Sequence, residues 1–166
     1  MVQLLMVVLA LVQDPEPRVD LTQVQESLRS LGPKGTLHLL FDDGARWDSF
    51  LDAVGKGDDS WLEVAANLRE VSDAHASETL DMAIQEALPL NPNSVLILVQ
   101  RGSFTVDSAC GMYGFGQIED ERPKPVIVGL VDRRIDSVSK VEQPMLKAVK
   151  TKCLAELVKL RAEVAE

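Results

Sequence analysis

The chain has 166 residues, a formal charge of −9 and two cysteines. That length makes one domain of ordinary size, able to bury a core without help, and the sequence implies no metal and no cofactor. The acidic balance excludes nucleic acid or an anionic membrane as the main partner, because both need a basic face.

The opening MVQLLMVVLALVQDPEP is too short in its apolar run, residues 4–12, to span a bilayer, which needs about 20 apolar residues. It has the length of a signal-peptide h-region. Val8 and Ala10 supply the small residues for cleavage after Ala10, although only the amino terminus carries charge ahead of the run. The two prolines of QDPEP interrupt any continuing helix. Residues 1–10 therefore read as a signal peptide, 11–19 as a linker and 20–166 as a single helical domain, periplasmic or secreted. The alternatives are a retained N-terminal helix packed on the domain, which would make this a cytosolic protein, or a lipid-facing anchor.

Apolar periodicity predicts an all-α fold of about eight short helices, an orthogonal bundle or an irregular stack of helical hairpins. Leu21, Val24 and Leu28 share a stripe that ends near Gly32, and Leu37, Leu40 and Phe41 belong to a second helix begun by Pro33. Trp47, Phe50, Leu51 and Val54 fall at i, i+3, i+4, i+7 and stop at Gly55, where GKGDDS offers a C-cap glycine and then caps for the next start. Trp61, Val64, Ala65, Leu68 and Val71 follow. After SDAHAS, with Ser77 as N-cap, Leu80, Ala83, Ile84, Ala87 and Leu88 form an apolar face that Pro89 ends.

Residues 95–99, VLILV, have the composition of a strand. Asn91 and Pro92 form an N-cap and N1 pair, however, and no second alternating segment exists to pair with a lone strand, so a buried helix is expected. Residues 103–121 read as loop. Val126, Leu130, Val131, Ile135 and Val138 mark a seventh helix. Residues 145–164 make the last, with Leu146, Val149, Cys153, Leu157, Leu160 and Val164 on one stripe.

In an oxidising compartment the two cysteines are bridged, and Cys110 to Cys153 is the one pairing available. In a cytosolic protein they are two reduced, buried thiols. Without a CxxC, neither zinc nor thioredoxin-like chemistry is implied.

Several strings together carry a resemblance: GDDSWLEVAANLREVSDAHASETLDMAIQEALPLNPNSVLILV, AC some ten residues later, and MLKAVKTKCLAEL near the end. Over roughly residues 30–160 the chain resembles small uncharacterised exported proteins of Gram-negative bacteria. These share a WLEVAA helix, an ASE helix ending in ALP, a cysteine after the next apolar segment and a final helix carrying a second cysteine. The resemblance implies a signal peptide, an all-helical fold and the Cys110–Cys153 bridge. It brings no catalytic residue, and the loop GMYGFGQIEDERPKP departs from the group's pattern.

Candidate chemistry is sparse. His38 lies on a predicted helix and His75 in the turn before another, neither beside a nucleophile in a motif. An enzyme reading would gather His75 with Asp73, Glu78 and other carboxylates of the acidic region 42–90. FDDGARWD lacks the alternation of a calcium loop and reads as cap and turn. GMYGFG has no GxGxxG order, so no phosphate cradle is expected. Its glycines, after Cys110 and before Glu119, Asp120 and Glu121, instead make a candidate interaction loop presenting Tyr113 and Phe115.

Residues 42–90 hold twelve acidic and three basic side chains, so this stretch alone accounts for the net charge. It reads as solvated helix faces or as a surface for a basic partner. The favoured function is a non-catalytic interaction module of the cell envelope, of inhibitor, immunity or accessory type, whose partner is another protein.

Overall fold

A computed structural model describes residues 19–111 and 123–165. The described residues form α1 (Leu21–Phe41), α2 (Gly44–Gly55), α3 (Asp59–Arg69), α4 (Ala74–Ala87), α5 (Pro92–Arg101), α6 (Val106–Cys110), α7 (Lys124–Ser139) and α8 (Lys147–Ala165), and no strand. The all-α expectation holds, and residues 95–99 are helical.

Side-chain caps set most of the starts. Asp20, Asp43, Asp58 and Asp73 each accept a backbone N–H from the first turn of the helix that follows, and Asn91 does the same for α5. Each such cap contributes about 1 kcal/mol. Three of the acidic residues in the 42–90 stretch are thus spent on helix starts rather than on a partner. The predicted cap Ser77 is corrected by this: Asp73 opens α4, one turn earlier, and His75 lies in the first helical turn rather than before it.

Gly32, at φ 71° and ψ 175°, breaks α1 into the two segments that the sequence suggested, with Pro33 restarting the second. The predicted loop 103–121 is corrected at its beginning. Thr105 and Ser108 form a reciprocal capping box that starts the five-residue α6, a helix too short to show periodicity.

Gly57 fixes the α2–α3 turn. Its φ is 77°, a conformation that glycine adopts at little cost. An added Cβ would sit 3.3 Å from the Asn91 Cβ and 3.4 Å from that of Leu90. The Asn91 amide donates to the Gly57 carbonyl at 2.9 Å and to Asp59 Oδ1 at 2.8 Å, tying this turn to the start of α5. Gly57→Ala is expected to lower stability by about 1–2 kcal/mol, through strain and crowding, when measured by urea unfolding.

α3 and α4 are central. α3 buries Leu62, Val64, Ala65, Ala66 and Leu68 around much of its circumference, and it packs on α1, α2, α4 and α5. Val71, assigned to its stripe, falls beyond the helix and is exposed. The main core also takes Phe50, Leu80, Ile84, Leu96 and the inner half of α8.

α7 and the outer half of α8 close a separate small cluster of Ile127, Val131, Leu160 and Val164. Val126, placed on the α7 stripe by the sequence, is exposed, and Ile127 takes the core position. All six stripe residues predicted for the last helix are buried, although Leu146 belongs to the 3-10 turn Pro144–Leu146 that precedes α8. Cys110 and Cys153 form a disulfide between α6 and α8, with Cα atoms 5.4 Å apart.

Candidate functional site: an acidic groove beside Trp61

Four aromatic rings run through the first three helices and end at the surface. Phe41 meets Trp47 with centroids 5.3 Å apart, Trp47 meets Phe50 at 5.3 Å, and Phe50 meets Trp61 at 5.9 Å. Trp47 is buried, and its indole N–H donates to Thr79 Oγ1 at 3.2 Å. Trp61 is only half-buried. Its other side faces a groove of about 920 Å³ between the start of α1, the outer face of α2 and the start of α3.

The groove combines apolar walls with negative charge. Val19, Leu21, Ala53 and Trp61 give the walls, and Asp48, Asp52 and Asp58 the charge. Asp48 and Asp52 are one turn apart on α2, the spacing that puts two side chains on the same face. Asp52 is paired with Lys56, and Asp58 caps α3. Asp48 makes no hydrogen bond or ion pair with any described residue. Val19 is held at the rim, its N–H donating to Ser49 Oγ at 3.1 Å.

Other acidic side chains in the 42–90 stretch are committed to the fold. Glu63 pairs with Arg101 between α3 and α5, and Asp59 accepts from Asn91 and Ser94. Asp81 is buried at the α3–α4 junction, where Arg69 Nε donates to its Oδ1 at 3.0 Å. A second guanidinium N–H of Arg69 reaches Ser77 Oγ at 3.0 Å, and Ser77 shares a 2.6 Å hydrogen bond with Ser72. Burial raises the Asp81 carboxyl above its ordinary value, Arg69 opposes that rise, and the charges of Asp107 and Glu78 add to it. The cluster locks two helices together and leaves Arg69 little capacity for a ligand. Arg134 on α7 is also buried, and loss of hydration lowers it to about 10 against the opposing charge of Glu86.

The grouping of His75 with Asp73 and Glu78 that the alternative enzyme reading would use does not form a metal-holding cluster. His75 is exposed and sets its ring edge-on to Phe41 at 5.7 Å. The Asp73 carboxylate is bound to the Ala76 N–H, Glu78 is exposed, and His38 lies exposed on α1. Among the described residues no three His, Cys, Asp or Glu side chains come together as a metal-holding group, and no helix is long and apolar enough to cross a membrane.

Asp42 and Asp43 act as the C-cap of α1 and the N-cap of α2, as the cap-and-turn reading of FDDGARWD expects. The candidate loop residues Tyr113, Phe115, Glu119, Asp120 and Glu121 lie outside the described residues, as do residues 1–18. The groove itself was not foreseen. Asp48 and Asp52 at i, i+4 were its signal, and only the fold brings Trp61 and Val19 to them. No family model, no curated protein and no solved structure matches the chain.

Proposed function

We propose that this chain is an exported, non-catalytic interaction domain that captures another protein through Lys or Arg side chains seated in the acidic groove. The carrying observation is the combination, in one groove, of the uncommitted Asp48 carboxylate and the half-exposed Trp61 indole. A cation with an aliphatic stem suits both: its charge meets carboxylates, and its stem or its guanidinium face lies on the indole. The acidic helices around the groove steer a basic partner toward it, an effect that fades within a Debye length, about 8 Å at physiological salt. Export is supported by the h-region length of residues 4–12 and by the disulfide, a bond that persists in oxidising compartments.

The test is capture from envelope extract at low salt by the immobilised protein. Partner protein should be retained by the parent chain and released by added salt. Asp48→Lys combined with Asp52→Lys should weaken capture by at least ~10-fold, and Trp61→Ala by a similar factor if the indole is an anchor. The charge reversals change surface positions, so their melting temperature should move little, whereas Trp61→Ala also removes a ring packed on Phe50 and is to be compared at a temperature well below its own, lowered, melting point. Undiminished capture by the charge-reversed protein would rule the groove out as the interface.

A further inference from the structure

The geometry points to a second binding site, for a small amphiphilic carboxylate, in the groove between the α4–α5 turn and the C-terminal half of α7. The groove is open to solvent and has a volume of about 480 Å³, within the roughly 300–1,000 Å³ range of small-molecule sites. It exists because α5 and α7 touch over few residues while each packs more closely elsewhere. Pro89, Leu90 and Pro92 line it from the α4–α5 turn, and Arg133, Asp136, Ser137 and Lys140 line it from the end of α7. Leu90 is 65% exposed although Leu88, two residues earlier, is fully buried, so the turn holds a large aliphatic side chain out in water beside the opening.

The charges decide which ligand fits. Lys140 is engaged by Asp136 at 2.6 Å, whereas Arg133 makes no hydrogen bond or ion pair with any described residue. Its planar guanidinium can take a carboxylate through two parallel N–H bonds, which a lysine cannot do. Asn93, also in the lining, has an amide able to donate to the same anion. An anion alone would gain little, because Arg133 is exposed, exposed ion pairs are weak, and the chain's net charge of −9 repels it. The apolar wall therefore has to supply the rest. Each methylene laid against Leu90 and the two prolines should raise affinity by up to about fourfold until that surface is covered. The ligand class is one carboxylate on a short aliphatic body, with the tail over Leu90 and the head at Arg133.

Calorimetric titration of the full chain with sodium octanoate, butyrate and 1-octanol tests this. Octanoate should bind saturably, butyrate at least ~10-fold more weakly for want of four methylenes, and octanol at least ~5-fold more weakly for want of charge. Arg133→Gln should lower octanoate affinity at least ~5-fold without moving the melting temperature, while Asp136→Asn, by releasing Lys140, should raise it. Octanoate that binds without saturation would overturn the site. So would octanol binding as tightly as octanoate, or an Arg133→Gln protein that binds octanoate unchanged.

Discussion

Replacing Cys110 and Cys153 together by Ala should lower the free energy of unfolding by about 3–4 kcal/mol. The bridge closes a loop with a sequence separation of 43, and for a loop of that size the lost chain entropy of the unfolded state is worth about 4 kcal/mol. That figure is an upper bound, because unfolded chains retain some compactness. Small domains have only about 5–15 kcal/mol in total, so the bridge decides whether α6 stays attached to α8. Both cysteines are fully buried, so a reductant reaches the sulfurs only when the structure opens. Under native conditions the disulfide should resist dithiothreitol on the timescale on which an exposed disulfide is cleaved, and its reduction should accelerate in parallel with urea-induced unfolding. Urea melts of the oxidised parent and the double-Ala protein give the first number, and thiol trapping with time gives the second. A stability loss under ~1 kcal/mol would mean that the packing of α6 against α4 and α8, together with the buried hydrogen bond from Gln85 Nε2 to the Ser108 carbonyl, holds the junction unaided.

What the sequence disclosed and what it hid divide along the range of the interactions. Local chemistry was legible. Asn91 before Pro92 overrode the strand-like composition of VLILV, because a cap and a fixed φ act within one turn whereas a strand needs a partner elsewhere. The six-residue apolar stripe of the last helix is buried along its whole length.

Competition between adjacent caps was less legible. Ser72-Asp73-Ala74-His75-Ala76-Ser77 offers more than one N-cap, and Asp73 prevails because its carboxylate binds the Ala76 N–H and leaves the Ser77 hydroxyl to Arg69. α6 escaped notice because five residues cannot display a 3.6-residue period. Arg134 lies on the buried stripe of α7 between Val131 and Val138, a position that an apolar pattern passes over. The groove escaped for a different reason. Trp61 fits a core stripe in sequence, and its partial exposure follows only from how the start of α1 enters beside α2, a relation between residues such as Val19 and Ser49, 30 positions apart. The Arg69–Asp81 pair is similar, since neither residue announces a partner 12 positions away across a turn.

That pair carries the second large expected effect. Arg69→Met should cost about 2–3 kcal/mol at neutral pH. The substitution keeps the aliphatic stem and removes the guanidinium, leaving the Asp81 carboxylate, only 6% exposed, without its cation. Breaking a fully buried pair from one side costs about 3–5 kcal/mol. The Arg69 side chain is 26% exposed, so water reaches part of the site and the penalty is lower. A double variant, Arg69→Met with Asp81→Leu, should recover more than half of the loss, because the uncompensated charge is then gone.

The pH dependence has a definite sign. Burial already raises the Asp81 carboxyl above its ordinary value of 3.8, and Arg69 is the main group opposing that rise, so removing Arg69 raises it further. For a carboxyl whose folded-state value is raised, the linked stability is fully present below the ordinary value and is lost as pH climbs through the folded one. The deficit of the Arg69→Met protein relative to the parent should therefore be greatest at neutral pH and shrink toward pH ~4, where Asp81 takes up a proton and needs no cation. In an Asp81→Asn background, whose amide does not titrate, Arg69→Met should cost the same at the two pH values. Urea melts of the parent and of each variant at both pH values decide it. A deficit of equal size at both would mean that Arg69 acts through Ser77 and packing, with the Asp81 charge already relieved by water.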